Sequence, residues 1–362
     1  AAGRGRDPMS EHFADRLLQA VEAKGSCVCV GIDPVYDQMP DAVAGPSPRR
    51  DAEDLDRVID AVYEFSLGVL KAVADHAACV KFQSAYFERL YWEGVEAYYS
   101  LVREARELGL LVIGDVKRGD IGTTAAAYAD AHLAQPPSMI LDEDAAAPDA
   151  ITVNPLLGLD TIEPFLNLCR DQGKGLFVLV RTSNPGSADF QDARLADGRT
   201  FSEMLADRLG EVAAGSALLG VRGYSAVGAV VGATQPHTMD SLRRRLPHSI
   251  FLLPGYGAQG ATAEMTRGAF RDGRPAIVSA SRPTRCARCS RPLLLWNASR
   301  TAPSAASAPA RGSGSCGGRW YEGYLPRAVL LARGFVSYGS ASCSSSRLYV
   351  GSPRARRTFS SR

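Results

Sequence analysis

The chain contains 362 residues, 46% of them hydrophobic and 22% charged, and its net charge is +2. Such a composition is typical of a globular protein that can bury a full core. No apolar run approaches the ~18 residues that a membrane span requires, and the N-terminal residues lack a signal-peptide core, so we expect a cytoplasmic protein without a membrane anchor. Met9 is a natural start, which would make residues 1–8 an upstream extension.

Eight short apolar runs follow one another along the chain, each bounded by Gly, Pro, Asp or Asn. Their apolar residues are continuous rather than alternating, which is typical of strands buried on both faces of a parallel sheet. The runs cover residues 27–32, 79–83, 110–116, 150–154, 175–181, 226–232, 250–255 and 276–281.

Segments with helical spacing lie between most of these runs. Residues 51–76 carry acidic residues in their first turns, and residues 98–109 end in a glycine that is typical of a helix C-cap. Residues 201–214 and 239–247 fill two later gaps, and the RRR sequence at 243–245 is expected to lie on a solvated helix face.

The alternation of strands and helices predicts the fold class. Eight strands separated by helices over about 260 residues match the size and rhythm of a (β/α)8 TIM barrel, here spanning residues 9–282. A doubly wound open sheet is the alternative, because the pattern does not show whether the sheet closes.

The pattern breaks after Arg282. Residues 283–362 hold 13 of the 41 basic residues, all of them arginine, and one of the 39 acidic residues, so the preceding body has a net charge of −10. This low-complexity tail is predicted to be disordered, and it is either a genuine extension or an out-of-frame translation of GC-rich DNA. Cys286 and Cys289 have CxxC spacing, but no second pair completes a zinc site, so no metal is expected.

Polar side chains occupy the carboxyl ends of most predicted strands, which is the end of a TIM barrel where function lies. One such residue would carry little weight, but several at corresponding positions indicate a polar site on which they converge. They are Asp33, Lys81, Asp115, Lys117, Asn154, Thr182, Ser183, Gln259, Ser281 and Arg282.

The densest charge cluster is GDVKRGDIGTT at residues 114–124. Asp115 and Lys117 are two residues apart, so on an extended chain they point to the same side, and Lys81 on the neighbouring strand could reach the same space. Alternating lysines and aspartates neutralise one another, which allows charges to be held in a poorly solvated pocket. A solvated loop of weak ion pairs is the competing interpretation, and Arg118 is expected to face solvent or an interface.

A second motif, GYGAQG at residues 255–260, follows a strand and matches the G-x-G-x-x-G dinucleotide pattern. It comes late in the chain, and the residues about 20 positions downstream offer no acid for a ribose. A glycine loop with Gln259 and Arg282 is better suited to a phosphomonoester, held by backbone N–H groups and a guanidinium. A tight turn that simply requires glycine is the alternative.

The motifs together resemble one family. DVKRGDIGTTAAAYA at residues 115–129 is similar to the D-x-K-x-x-D-I-x-x-T signature of the orotidine 5′-monophosphate decarboxylases. KGSCVCVGIDP, CVKFQSAYFE, VRTSNPGS, GAVVGAT and LLPGYGAQG resemble the longer bacterial branch of that family, from about Met9 to Arg282. The resemblance implies a homodimeric (β/α)8 barrel that converts orotidine 5′-monophosphate to UMP and CO2 with no cofactor and no metal.

The resemblance also implies catalytic roles for four residues. Lys117 would protonate C6 of the pyrimidine as CO2 leaves, and Asp115 would lie beside the substrate carboxylate. Lys81 would pair with Asp115 and touch the ribose. Asp120 would reach across the dimer interface and complete the charge array in the partner's site.

Substrate contacts are implied in the same way. Ile121 and Thr124 would also enter the partner's site, Ile121 lining the pocket around the departing carboxylate and Thr124 contacting the ribose. Asp33 would bind ribose hydroxyls, and Ser183 would bind the pyrimidine edge. Gln259 and Arg282 would hold the phosphate, and Pro254 would shape the loop that carries Gln259.

Other functions stay open from the sequence. Related sugar-phosphate decarboxylases and aldolases share the D-x-K-x-x-D strand end, and several of them use a magnesium ion. A catalytically silent phosphate-ligand binder, or a protein that binds RNA through the arginine tail, are further alternatives. The I-x-x-T extension and the PGYGAQG loop favour the nucleotide substrate, and we do not expect a nucleic-acid partner. The family ordinarily adds one more helix after the phosphate arginine, and that pattern is missing after Arg282.

Overall fold

The computed structural model describes residues 12–45, 54–135, 146–257 and 259–280. Eight parallel strands form a closed barrel in which each strand pairs with the next along the chain and the last pairs with the first. The closure confirms the (β/α)8 barrel over the doubly wound open sheet. The strands are β1 (Val28–Ile32), β2 (Cys79–Gln83), β3 (Leu111–Arg118), β4 (Ala150–Val153), β5 (Gly175–Arg181), β6 (Val227–Val231), β7 (Phe251–Leu253) and β8 (Ala276–Ala280).

Helices lie between the strands and surround the barrel, as the sequence pattern predicts. Those in the described ranges are α1 (Phe13–Lys24), α2 (Asp41–Ala44), α3 (Leu55–Val73), α4 (Ala85–Glu88), α5 (Tyr91–Glu107), α6 (Gly122–His132), α7 (Glu163–Gln172), α8 (Ala188–Gln191), α9 (Phe201–Ala213), α10 (Pro236–Arg245) and α11 (Ala263–Thr266). Short 3-10 segments occur at Tyr36–Gln38, Leu159–Ile162, Pro185–Ser187, Ser216–Leu218 and Arg267–Gly273.

Local sequence explains where two of the longer helices begin. Asp54 caps α3 by accepting a hydrogen bond from the backbone N–H of Arg57 at 3.4 Å. Thr200 and Glu203 form a reciprocal capping box at the start of α9. A cap of this kind stabilises a helix by about 1 kcal/mol. From its cap, α3 presents an apolar stripe to the core, consisting of Val58, Ala61, Val62, Leu70 and Val73.

The amino end of the barrel is filled by contacts from α1. Phe13 packs edge-on against Phe177, with ring centroids 5.9 Å apart, and its ring takes the space that a Cβ on Gly175 would need. Arg16 pairs with Asp149 at 2.6 Å. These contacts close the amino end of the barrel, while the polar strand ends lie at the opposite rim, because all eight strands run parallel.

One irregularity interrupts the pairing of β3 with β4. Gly114 pairs with Ile151, and the next pair is Arg118 with Val153, so three residues of β3 oppose one of β4. Lys117, inside this bulge, has a φ of 48°, in the left-handed region that residues other than glycine rarely adopt. A bulge bends a strand and re-aims its side chains. The strand therefore continues past its predicted end at residue 116, but with a changed direction.

Two expectations about the helices are wrong. The helix predicted over residues 98–109 begins earlier, at Tyr91. Arg243, expected on a solvated face, is only 2% exposed, because its guanidinium lies 3.7 Å from the centroid of the Phe251 ring and donates to four backbone carbonyl oxygens. Burial lowers the pKa of Arg243 to about 9. A run of three arginines therefore does not by itself show which of them faces water.

Several predictions concern residues outside the described ranges. They are the upstream extension at residues 1–8, the phosphate-binding role of Arg282, and the tail at residues 283–362. Across the described ranges, no helix combines the length and the apolar character that crossing a membrane requires.

Candidate active site

Asp115 is the centre of a charge network at the carboxyl end of the barrel. It is 7% exposed, and each of its carboxylate oxygens accepts two hydrogen bonds. Oδ2 accepts from Lys81 Nζ at 2.8 Å and from Gln83 Nε2 at 3.0 Å. Oδ1 accepts from Lys117 Nζ at 2.5 Å and from Thr152 Oγ1 at 2.8 Å. The carboxylate is thus fixed by four donors from three strands.

The two lysines keep Asp115 ionised despite its burial. Burial raises the pKa of a carboxyl group, but the charges of Lys81 and Lys117 outweigh that effect and hold the pKa of Asp115 well below its usual range. Burial likewise lowers the pKa of Lys81, but the carboxylates of Asp115 and Asp33 raise it above its ordinary value. Lys81 and Asp115 are therefore held as an ionised pair away from water.

Asp33 joins this network from the end of β1. Its Oδ1 lies 3.9 Å from Lys81 Nζ, which is close enough for an ion pair but too far for a hydrogen bond. This oxygen is buried and accepts no hydrogen bond from the described residues. A buried acceptor without a donor is costly. Asp33 can therefore bind a hydroxyl group of a ligand.

Lys117 differs from Lys81 in its exposure and in its backbone. Its side chain is 44% exposed, whereas Lys81 is buried. The side chains of Asp115 and Lys117 meet, as predicted, but through the bulge and the left-handed backbone of Lys117 rather than along an extended strand. A residue other than glycine held at positive φ costs on the order of 1–3 kcal/mol, and such strain clusters at functional sites.

Gln83 and Thr152 belong to the network but are not among the residues predicted from the sequence. Gln83 lies two residues after Lys81 on β2, so the two-residue period of a strand could have placed both on one side. No comparable signal exists for Thr152, because the run AITV at residues 150–153 does not show which side chains of another strand it meets.

The residues predicted to serve a partner subunit lie outside this network. Asp120 Oδ1 accepts a hydrogen bond from the backbone N–H of Ile121 at 2.8 Å, and Asp120 forms no ion pair with any residue of the described ranges. Ile121 is 61% exposed, and Thr124 is exposed in the first turn of α6. Within one chain, these three side chains are therefore not brought together with Asp115.

The glycine loop after β7 lies beside Ser183. Gly255 has a φ of 100°, and a Cβ at this position would lie 2.9 Å from Gln259 Oε1 and 3.5 Å from Ser183 Cβ. The backbone carbonyl of Pro254 accepts a hydrogen bond at 2.9 Å from the N–H of Ala233, two residues after β6. Neighbouring strand ends thus bring Ser183, Pro254 and Gln259 together, and Arg282 lies outside the described residues.

Comparison with known proteins agrees with this geometry. A profile of the orotidine 5′-phosphate decarboxylase / HUMPS family matches residues 27–284. The chain belongs to this family.

Its relatives in this family include proteins named orotidine 5′-phosphate decarboxylase. An orotidine 5′-phosphate decarboxylase from Rhodopirellula baltica is 42% identical over 276 residues, which cover 75% of this chain and 87% of the relative. One from Caldicellulosiruptor bescii is 40% identical over 253 residues, which cover 70% of this chain and 82% of the relative. A solved Streptomyces avermitilis structure assigned to the same enzyme is 35% identical, with a TM-score of 0.60, and covers 78% of this chain and 90% of that chain.

Arg118, which lies between the signature residues Lys117 and Asp120, was expected to face solvent or an interface, and it makes specific contacts within the chain. Its guanidinium is not simply solvated, since it donates to Glu88 Oε1 at 2.6 Å and to His132 Nε2 at 3.2 Å. It also lies 5.6 Å from the centroid of the Tyr128 ring. Arg118 therefore ties α4 and α6 to the end of β3, beside the bulge that carries Lys117.

Proposed function

We propose that the chain decarboxylates orotidine 5′-monophosphate (OMP) to UMP and CO2, the reaction for which its relatives are named, as a step of pyrimidine biosynthesis. The observation that carries the proposal is the buried carboxylate of Asp115 held between Lys81 and Lys117 at the carboxyl end of the barrel. Membership of the family supports the nucleotide substrate. The proposal includes no cofactor, because side chains of the chain supply the charges that the chemistry needs.

The charge network suits a decarboxylation at C6 of the pyrimidine. Loss of CO2 leaves an electron pair in the plane of the ring, where resonance gives little help. Lys117 would place an ammonium group beside C6, stabilise the charge as it forms and then donate a proton. Its side chain is 44% exposed, so it can reach a ligand. Lys81 would pair with Asp115 and touch the ribose. Asp115, held ionised, would lie beside the substrate carboxylate and favour its departure.

The other strand ends would bind the rest of the nucleotide. Asp33 would accept hydrogen bonds from ribose hydroxyls through Oδ1, which receives no hydrogen bond from the described residues. Ser183 would bind the pyrimidine edge, and Gln259 would bind the phosphate on a loop shaped by Pro254. Arg282 completes the phosphate site in this proposal. Because the phosphate is remote from the reacting bond, its binding energy can be used to close the loop and orient the ring.

We further propose a homodimer with shared active sites. Three large apolar side chains are exposed to water near this rim, namely Ile121, Leu156 and Leu157. A second copy of the chain would cover them. Asp120 would then add a carboxylate to the partner's charge array. Thr124 would contact the ribose, and Ile121 would line the pocket around the carboxylate.

The test is turnover of OMP by the full-length chain, followed by the loss of orotidylate absorbance. We expect turnover that neither EDTA nor added magnesium alters. Lys117→Ala should lower kcat by roughly 10²- to 10⁴-fold, the usual effect of losing a general acid. Lys71→Ala, at an exposed lysine of α3, is the matched control and should leave kcat unchanged.

Two outcomes would contradict the proposal. A magnesium-dependent reaction on a sugar phosphate, without turnover of OMP, would assign the chain to a sugar-phosphate decarboxylase or aldolase. Binding of UMP without any decarboxylation would instead indicate a phosphate-ligand binder.

A further inference from the structure

Thr152 is the one residue of β4 that faces the bulge in β3. The paired positions on either side are those of Gly114 and Arg118, so residues 115–117 oppose Thr152 alone. Extra residues in one strand leave backbone groups without their ladder partners. The bulge therefore depends on side chains for hydrogen bonds that the ladder does not supply.

The hydroxyl of Thr152 supplies one such bond and also binds the carboxylate of Asp115. Its Oγ1 accepts from the backbone N–H of Lys117 at 3.0 Å and donates to Asp115 Oδ1 at 2.8 Å. Thr152 is 1% exposed; its bond to Asp115 is buried, and its bond from the Lys117 N–H is partly buried. One buried atom thus contacts the backbone of Lys117 and the carboxylate that Lys117 pairs with.

We propose that Thr152 is a positioning residue whose hydroxyl holds Lys117 in its left-handed backbone conformation and sets the distance between Lys117 Nζ and Asp115. The inference rests on the proposed function, in which these two groups act at C6 and on the substrate carboxylate. Thr152 acts through them and needs no contact with the substrate. Losing the hydroxyl would release the backbone strain at Lys117 and leave its N–H without this acceptor.

A simpler arrangement could also hold the pair. Lys81 and Gln83 bind the other carboxylate oxygen, and the ion pair between Lys117 and Asp115 could be sufficient on its own. In that case the Thr152 hydroxyl would be only a satisfied buried polar group, and its removal would affect stability but not the catalytic step.

The test compares Thr152→Val, which keeps the shape and removes the hydroxyl, with Thr152→Ser, which keeps the hydroxyl. In the full-length protein we expect Thr152→Val to lower kcat by roughly 10- to 100-fold, as for a lost hydrogen bond to a charged group in a positioned site. KM for OMP and the Kd of UMP, which lacks the carboxylate, should change by less than about two-fold. Thr152→Ser should recover most of kcat. Thr161→Val, at a buried threonine that bonds the Gly158 carbonyl, is the control and should keep the wild-type kcat.

Equal kcat values for the wild type and Thr152→Val, or equal losses for the valine and serine variants, would overturn the inference. If the wild type fails to convert OMP, the proposed function fails and crystal structures decide the positioning role separately. We expect Lys117 in Thr152→Val to leave positive φ and its Nζ to move away from Asp115. An unchanged Lys117 backbone and ion pair in that variant would show that Thr152 does not position them.

Discussion

Asp115→Asn removes one negative charge from between two lysines while keeping the size of the side chain. In the variant, Lys81 retains only the Asp33 carboxylate at 3.9 Å, although Lys81 is 5% exposed. Breaking a buried ion pair costs roughly 3–5 kcal/mol, because the remaining charge stays buried without its partner. Loss of the Asp115–Lys117 ion pair contributes little to the change in the free energy of unfolding, because the Lys117 side chain is 44% exposed and water screens its charge.

We therefore expect the free energy of unfolding at pH 7 to fall by about 3 kcal/mol or more in Asp115→Asn. For a barrel of this size, such a loss lowers Tm by roughly 6–12 °C. Urea and thermal unfolding followed by far-UV circular dichroism measure both quantities. Asp60→Asn, at an exposed aspartate of α3, is the matched control and should change stability by less than about 0.5 kcal/mol.

The pH dependence separates the charge effect from a packing effect. The pKa of Asp115 in the folded protein lies below its unfolded value of ~3.9, so its contribution is present above pH ~4 and is lost as the pH falls towards the folded pKa. The pKa of Lys81 is raised, so its contribution persists up to pH ~10 and is lost above that. The stability difference between wild type and Asp115→Asn should be constant near neutral pH and shrink in acid. Equal stability at pH 7, or a difference that persists unchanged in acid, would refute this reasoning.

Three other perturbations test separate parts of the structure. Arg243→Met should lower the free energy of unfolding by about 3 kcal/mol, because four backbone carbonyls lose a buried donor. Below the melting temperature, kcat should stay the same. An unchanged urea midpoint would contradict this prediction. Gly255→Ala should raise KM for OMP by about ten-fold or more, because its Cβ would displace Gln259. In the control Gly257→Ala, the added Cβ meets no atom within 4 Å and should cost only about 1–2 kcal/mol of backbone strain. Equal KM values for the two variants would count against a phosphate role for the loop. Mixing inactive Lys117→Ala and Asp120→Ala chains, after confirmed subunit exchange, should restore about a quarter of wild-type activity. About half of the dimers are then heterodimers, and each of these has one intact site out of two. No recovery would show that the sites are not shared.

The positions of the strands and of the main charged residues could be predicted from the sequence alone. A strand buried on both faces is a continuous apolar run between turn residues, and all eight such runs are strands of the barrel. Parallel strands around a barrel bring their carboxyl ends to one rim, so Asp33, Lys81, Asp115 and Lys117 could be expected to converge there. Both inferences need only short-range pattern and the geometry of a repeated unit.

Only the tertiary structure decided how that rim is built. Whether β3 bulges opposite β4 depends on the register of two strands that are separated by more than 30 residues, and the local sequence of neither strand specifies it. For the same reason the contact of Thr152 with Asp115 and Lys117 is invisible until the strands are paired. The burial of Arg243 depends in part on the same kind of contact, since the Phe251 ring and the carbonyls of Ala269 and Pro275 come from later elements. The residue types and their order determined the barrel, its charges and the local pair of Asp115 with Lys117. The contacts of Asp115 with Lys81, Gln83 and Thr152 were decided by packing between segments distant in the chain.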